Sequence, residues 1–344
     1  MSLNKRLFAG GLPPVENAFN VVTWTGTGSS QSITGLGFKP DLIWLKNRNN
    51  PTAHQHNLID STRTNGYTLH TNSTDVAESA GTNMITAIGT DGFTLGTDNA
   101  VNQNGYDYVA WCWRANEGTT STNTDGSINS TVQANTDAGF SIINYTGDNG
   151  GIGGSGTVGH GLNGTPTFII GKSINWANNW IVYLNDGSDH YHGYLDNDGA
   201  LNVNSSNTQV GTPNATTIGL SHIGTNNNGY SFMYYAWQQL DGYSKFGSYT
   251  GTGSSGNAQN IGFEPGYVMI KSLAQYNWEI YDTKRPSGSI TGRYMLLANA
   301  TDTEYTTSAV HIDITSTGFS FPNAYDGTNK SSQKYIYMAF RTAN

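Results

Sequence analysis

Two histidine pairs, His54-x-His56 and His190-x-His192, are the first residues in this sequence whose spacing suggests chemistry. Residues two apart on a strand share a face, so each pair could offer two imidazoles to a metal. Such a site needs further ligands, and no third ligand in a recognised metal-site spacing accompanies either pair. His56 also falls where a related segment has Trp278, which points to packing, so no metal is expected. Asp186-Gly187-Ser188-Asp189 and Asp196-Asn197-Asp198-Gly199 are oxygen-rich turns. They lack the full calcium-loop spacing with its distal glutamate, and Asx-turn chemistry accounts for them. Cys112, the single cysteine, stands between Trp111 and Trp113, which predicts a buried thiol and excludes a disulfide framework. The glycine-rich loop from Gly147 to Gly156 is followed by a strand pattern, not the helix a phosphate cradle needs, so it reads as a hairpin tip.

No Ser-His-Asp order, zinc helix or nucleotide fingerprint is present, and no acidic pair stands in a distinctive setting. The chain is therefore read as a non-enzyme, with no catalytic residue and no cofactor. The remaining signal is aromatic. Trp176, Trp180, Tyr191 and Tyr194 lie among Asn and Asp residues. Flat rings flanked by oriented hydrogen-bonding groups are suited to sugars, so these four are the candidate ligand-binding residues. The competing reading for Trp180 is a core position matching Trp278.

These residues are carried by an imperfect repeat. An aromatic strand opens each copy, as Phe19 to Gly26, Phe140 to Gly147 and Phe246 to Gly251. A proline then precedes an apolar run ending in lysine: Pro40 to Lys46, Pro166 to Lys172 and Pro265 to Lys271. Each copy closes on Tyr-x-Ala-aromatic, at Tyr108–Trp111, Tyr234–Trp237 and Tyr337–Phe340. A recurring set of anchors must be read as an array of like units. Copies one and three also share Asp-(Ser/Thr)-x-Arg, at Asp60–Arg63 and Asp282–Arg285. An Asp that caps its own turn and pairs with the Arg gives this motif a structural reading.

Of 344 residues only 12% are charged and 43 are glycine, while 12% are aromatic. Short strands with frequent turn signals predict an all-β chain of three tandem antiparallel β-sandwich, jelly-roll-like modules. The expected layout is an N-terminal arm over 1–18, modules over 19–116, 139–241 and 242–344, and a linker over 117–138 with one short strand around Ile128 to Val132. No helix longer than two turns is expected. The net charge of −8 without a basic cluster argues against nucleic acid. No apolar stretch is long enough to span a membrane as a helix.

The strings Ile33 to Arg48, Asp91 to Gly96 and Tyr108 to Trp113 resemble a β module of tailed-phage virion proteins, found in fibre-like and decoration proteins of phages of cyanobacteria and other marine bacteria. Copies two and three resemble it through the anchors above. The resemblance implies an exposed structural or receptor-facing role on the outside of the virion and no catalytic residues. The start, Leu3 to Gly10, resembles leaders of such proteins. The arm, through Leu3, Lys5, Arg6, Leu7 and Phe8, is accordingly expected to dock on other virion proteins. A tail fibre, spike or appendage adhering to host-surface glycans is the leading expectation. A capsid decoration or head-fibre protein stays open beside it, and a polysaccharide depolymerase behind both. A homo-oligomer is expected, with a trimer the form that suits a fibre.

Overall fold

A computed structural model describes residues 18–52, 54–63, 67–79, 83–149, 155–205, 209–285 and 293–343. The chain is all-β, built from several antiparallel sheets, and its helices among these residues are single turns. None is long and apolar enough to cross a membrane. The arm residues Leu3, Lys5, Arg6, Leu7 and Phe8 lie outside the described residues, as do residues 150–154 of the glycine loop.

One strand order recurs in the three copies. In each, the opening strand pairs with the closing strand, which pairs with the Pro-to-Lys strand, which pairs with a fourth. In copy one these are Phe19–Thr25, Asp107–Trp113, Leu42–Asn47 and Asn57–Asp60. In copy two they are Phe140–Thr146, Ser231–Trp237, Phe168–Ser173 and Ile181–Asn185. In copy three they are Ser244–Thr250, Lys334–Phe340, Tyr267–Ser272 and Trp278–Asp282. The Pro-to-Lys strand has closing and fourth strands on either side and is buried along its whole length, which is why its sequence is apolar on both faces. Each copy adds a three-stranded sheet; in copy one it is Gln31–Thr34, Gly92–Leu95 and Ile85–Gly89.

Register corrects the reading of copy one. Leu42, Phe168 and Tyr267 each stand two residues after their proline, and they pair with Trp113, Trp237 and Phe340. The closing aromatic of copy one is thus Trp113, and Trp111 corresponds to Tyr235 and Met338. Tyr108-Val109-Ala110-Trp111 imitates the motif two residues early.

Residues 117–138 also differ from expectation. They carry two strands, Ser121–Asn123 and Ser130–Asn135, which extend the large sheet of copy two beyond Phe140–Thr146. The composition is polar because an edge hairpin is held mainly by its backbone bonds. Val132 and Ile128 supply its buried apolar side chains.

Burial divides into four clusters. Three are local to a copy; in copy one Trp24, Ile43, Leu45 and Tyr108 of the large sheet meet Ile33, Phe93 and Leu95 of the small one. Copies two and three have counterparts. The fourth and largest is shared by all three large sheets. At its centre Trp113, Trp237 and Phe340 form a triangle with ring-centroid separations of 5.8, 5.6 and 6.3 Å.

Candidate functional site

The four candidate sugar-binding aromatics are not brought together. Trp180 is fully buried in the shared core, and its indole Nε1 donates to the His70 carbonyl at 2.8 Å. Tyr191 is also fully buried, its hydroxyl donating to Asp186 Oδ2 at 2.7 Å, with the Lys334 ammonium 5.2 Å from its ring. Neither offers a face to a sugar, because both belong to the layer that joins the copies. Trp176 is half-buried and tilted against Tyr230, with centroids 5.5 Å apart. Tyr194 is half-buried beside a cleft of about 60 Å³, which His192, Asn202 and Gln209 also line. Gln209 Nε2 donates to the Tyr194 hydroxyl. His192 Nε2 has no partner there, and burial, with His190 beside it, pushes that imidazole down to about 4. The ring is neutral at physiological pH and can exchange a hydrogen bond with a polar group. A cleft of this size holds a few waters, so it can seat a hydroxyl.

In the His54-x-His56 pair both ring nitrogens of His56 are taken up by the protein itself. His56 is fully buried, with Nδ1 accepting from Trp44 Nε1 at 2.9 Å, so its proton is on Nε2, which donates to the Leu297 carbonyl at 2.8 Å. Burial holds it well below the usual histidine range. His54 instead meets Asn50. No group of three or more His, Cys, Asp or Glu residues with metal-holding geometry occurs among the described residues. Cys112 is buried, and desolvation pushes its thiol far up, away from the thiolate a nucleophile needs.

The buried polar groups instead build three equivalent joints. His56, Trp180 and Trp278 share one register position at the start of the fourth strand. Their ring N–H groups donate at 2.8 Å to the carbonyls of Leu297, His70 and Tyr194. Copy one thus reaches copy three, copy two reaches copy one, and copy three reaches copy two. Backbone bonds cross the same boundaries, from Ala77 to Ile174 at 2.8 Å, Leu201 to Leu273 at 3.0 Å and Glu304 to Arg48 at 2.7 Å. The copies close a ring, and Ala343 N to Phe19 O at 2.9 Å seals its seam.

The lysines that end the apolar runs are buried beside these boundaries, and desolvation pushes each ammonium down to about 8. Lys46 donates to the carbonyls of Asn47 and Thr301, Lys172 to those of Thr74 and Asn178, and Lys271 to those of Ser272 and Ala274. Paired carbonyls are what make buried ammonium groups tolerable.

The Asp-(Ser/Thr)-x-Arg motif closes its own turn and also serves the joints. Asp60 Oδ1 accepts from the amides of Thr62 and Arg63, while Oδ2 accepts from Arg63 Nε at 2.7 Å. Asp282 repeats this with Lys284 and Arg285. Across the boundary Asp60 accepts from the Tyr235 hydroxyl at 2.7 Å and Asp282 from Trp111 Nε1 at 2.9 Å.

A buried asparagine escaped the sequence reading. Asn102, Asn226 and Asn329 end the single-turn helices, six residues before Tyr108, Phe232 and Tyr335. Their Oδ1 atoms accept the amides of Thr27, Asp148 and Thr252. The preceding Gly26, Gly147 and Gly251 must be glycine, because a Cβ there would lie 2.2–2.3 Å from a backbone carbonyl oxygen. The fixed interval was the available signal, hidden in an Asn-rich chain.

The class defined so far is an all-β protein whose internal repeats join in a ring. A family model described as a domain of unknown function, DUF7483, matches residues 15–343, so the chain belongs to that family. No curated protein and no solved structure matches it.

Proposed function

We propose that this chain is a structural protein on the exterior of a tailed-phage virion, a tail fibre, spike or appendage that adheres to host-surface glycans. The observation that carries this reading is the use made of the repeated polar residues. Ring N–H groups, lysines, Asp–Arg turns and buried asparagines hold strands and copies together instead of converging on a substrate. The resemblance of copy one to virion β modules supports the same role. We read each copy as a two-layer sandwich, its large sheet facing the shared core and its small sheet outside, giving three tandem modules. On this reading the chain has no catalytic role, no cofactor and no nucleic-acid partner. Residues 1–18 anchor it to the particle, and copies assemble as a homo-oligomer, with a trimer suited to a fibre. Contact with glycans then falls to the exposed edges of Trp176 and Tyr194, with weak sites multiplied over many subunits.

A glycan array probed with the full chain tests adhesion. Binding that weakens on Trp176→Ala supports it, and silence at high protein density leaves an architectural role alone. Imaging intact particles separates a tail appendage from a capsid decoration. Shortened host polysaccharide after incubation with the purified chain would turn the reading toward a depolymerase.

A further inference from the structure

Leu58, Val182 and Ile280 match one another on the fourth strands, and they pair with Leu69, Gly193 and Leu296. The residue before each of these partners is Thr68, His192 or Met295, and all three are buried. Met295 is apolar and belongs to the local core of copy three. Thr68 Oγ1 donates to the Leu69 carbonyl at 3.3 Å. Copy two alone puts an imidazole at this position. His192 is only 7% exposed, and its Nε2 is buried without a hydrogen-bond partner. Buried side-chain polar atoms are nearly always bonded, so an exception at a position that the other copies settle internally marks a place for a group from outside.

The surroundings define that group. His192 lines the cleft of about 60 Å³, with Asn202 and Gln209 as further polar residues and Ile181, Val182 and Val210 as apolar ones. No charged side chain is among its described lining residues, so the cleft offers an ion no counter-charge. Its imidazole is neutral at physiological pH, as described above, and carries one N–H and one lone pair. A hydroxyl both donates and accepts, so it suits the ring nitrogen in either tautomer. Tyr183 and His190 pack on the ring edge-to-face at 5.2 and 5.4 Å and hold it in place. Asn202 is exposed, which puts one side of the lining in contact with solvent.

We propose that this cleft takes the hydroxymethyl arm of a neutral hexose, with the arm's carbon against Ile181 and Val210 and its hydroxyl bonded to His192. The sugar ring then lies at the mouth, beside Asn202 and Tyr194. Apolar walls with a few placed polar groups are what such a subsite requires. This subsite rests on the glycan reading above and adds to it the class of sugar and the residue that selects it.

The test is an NMR titration of the full chain carrying isotope-labelled histidine. The probes are methyl glucoside and methyl galactoside, against methyl xyloside and methyl arabinoside, pentosides that lack the arm. At least one hexoside should shift the His192 imidazole signals, and the pentosides should leave them in place. His192→Phe keeps a ring and removes the nitrogen. It should weaken hexoside binding roughly fivefold, the loss of one neutral hydrogen bond, while keeping the wild-type circular dichroism. Signals unmoved by both hexosides, signals moved equally by the pentosides, or undiminished binding in the folded variant overturns the proposal. If the variant does not fold, the comparison of hexosides with pentosides on the wild-type chain decides alone. A glycan array that responds and dims with Trp176→Ala while the His192 signals stay fixed sinks this subsite and keeps adhesion. Silence on the array with no shift at His192 sinks both.

Discussion

Glu279 shows how one residue sets a pH dependence. It is fully buried, accepts from the Tyr281 hydroxyl at 2.7 Å, and burial pushes its carboxyl up to about 7 from 4.5. Between these values the folded chain keeps a proton that the unfolded chain has released. Stability therefore falls as pH rises through this window, and above it the whole penalty is present. Glu279→Gln keeps an acceptor for Tyr281 and cannot ionise. The variant should differ little from wild type at pH 4.5 and gain up to roughly 3 kcal/mol relative to it above pH 7. Urea titrations across that range check this, and a pH-independent difference would refute the assignment. Nothing in the sequence marks this group, since Glu279 reads as an ordinary acid until the fold removes its water.

At the scale of elements, the strands that carry apolar runs could be read directly. The Pro-to-Lys strand is central, as its two-faced apolar pattern requires, and the turn closed by Asp60 and Arg63 could be foreseen from the residues themselves. Copy one's closing register could not, because Trp111 and Trp113 both satisfy an aromatic anchor and only pairing with Leu42 decides between them. The hairpin over Ser121–Asn135 was hidden for the opposite reason, its backbone pairing leaving little apolar trace. Trp44 tests the central strand: it is buried and packs edge-on against Trp111 at 5.8 Å. Trp44→Ala should cost about 3–5 kcal/mol, and Trp44→Phe less, losing mainly the bond to His56. Unchanged denaturation midpoints would show that this strand is not central.

For the molecule as a whole, the shared core decides how it unfolds. Phe168 and Trp237 of copy two are covered in part by Phe246, Trp113 and Phe340 of its neighbours. A copy alone would expose that face, so the three should melt together. Scanning calorimetry is expected to show one transition whose calorimetric and van't Hoff enthalpies agree. Separate transitions would mean that the joints are weaker than the local cores. None of this closure was legible in the sequence, because each joint is made by side chains far apart along the chain. The candidate sugar platform failed for the same reason: Trp180 and Tyr191 look available in their own segment and are covered by others.

The three joints are alike in plan but encoded separately. Two boundaries have an acid facing a donor, Asp60 with Tyr235 and Asp282 with Trp111. At the third, register places Leu184 and Met338 at the matching positions, both within the apolar core. A trimer of identical subunits would have to make such an exchange at every boundary in one mutational step. A ring written in a single polypeptide can diverge at one boundary while the others keep their old chemistry, and that freedom lets Thr68, His192 and Met295 occupy one structural position in three chemical forms.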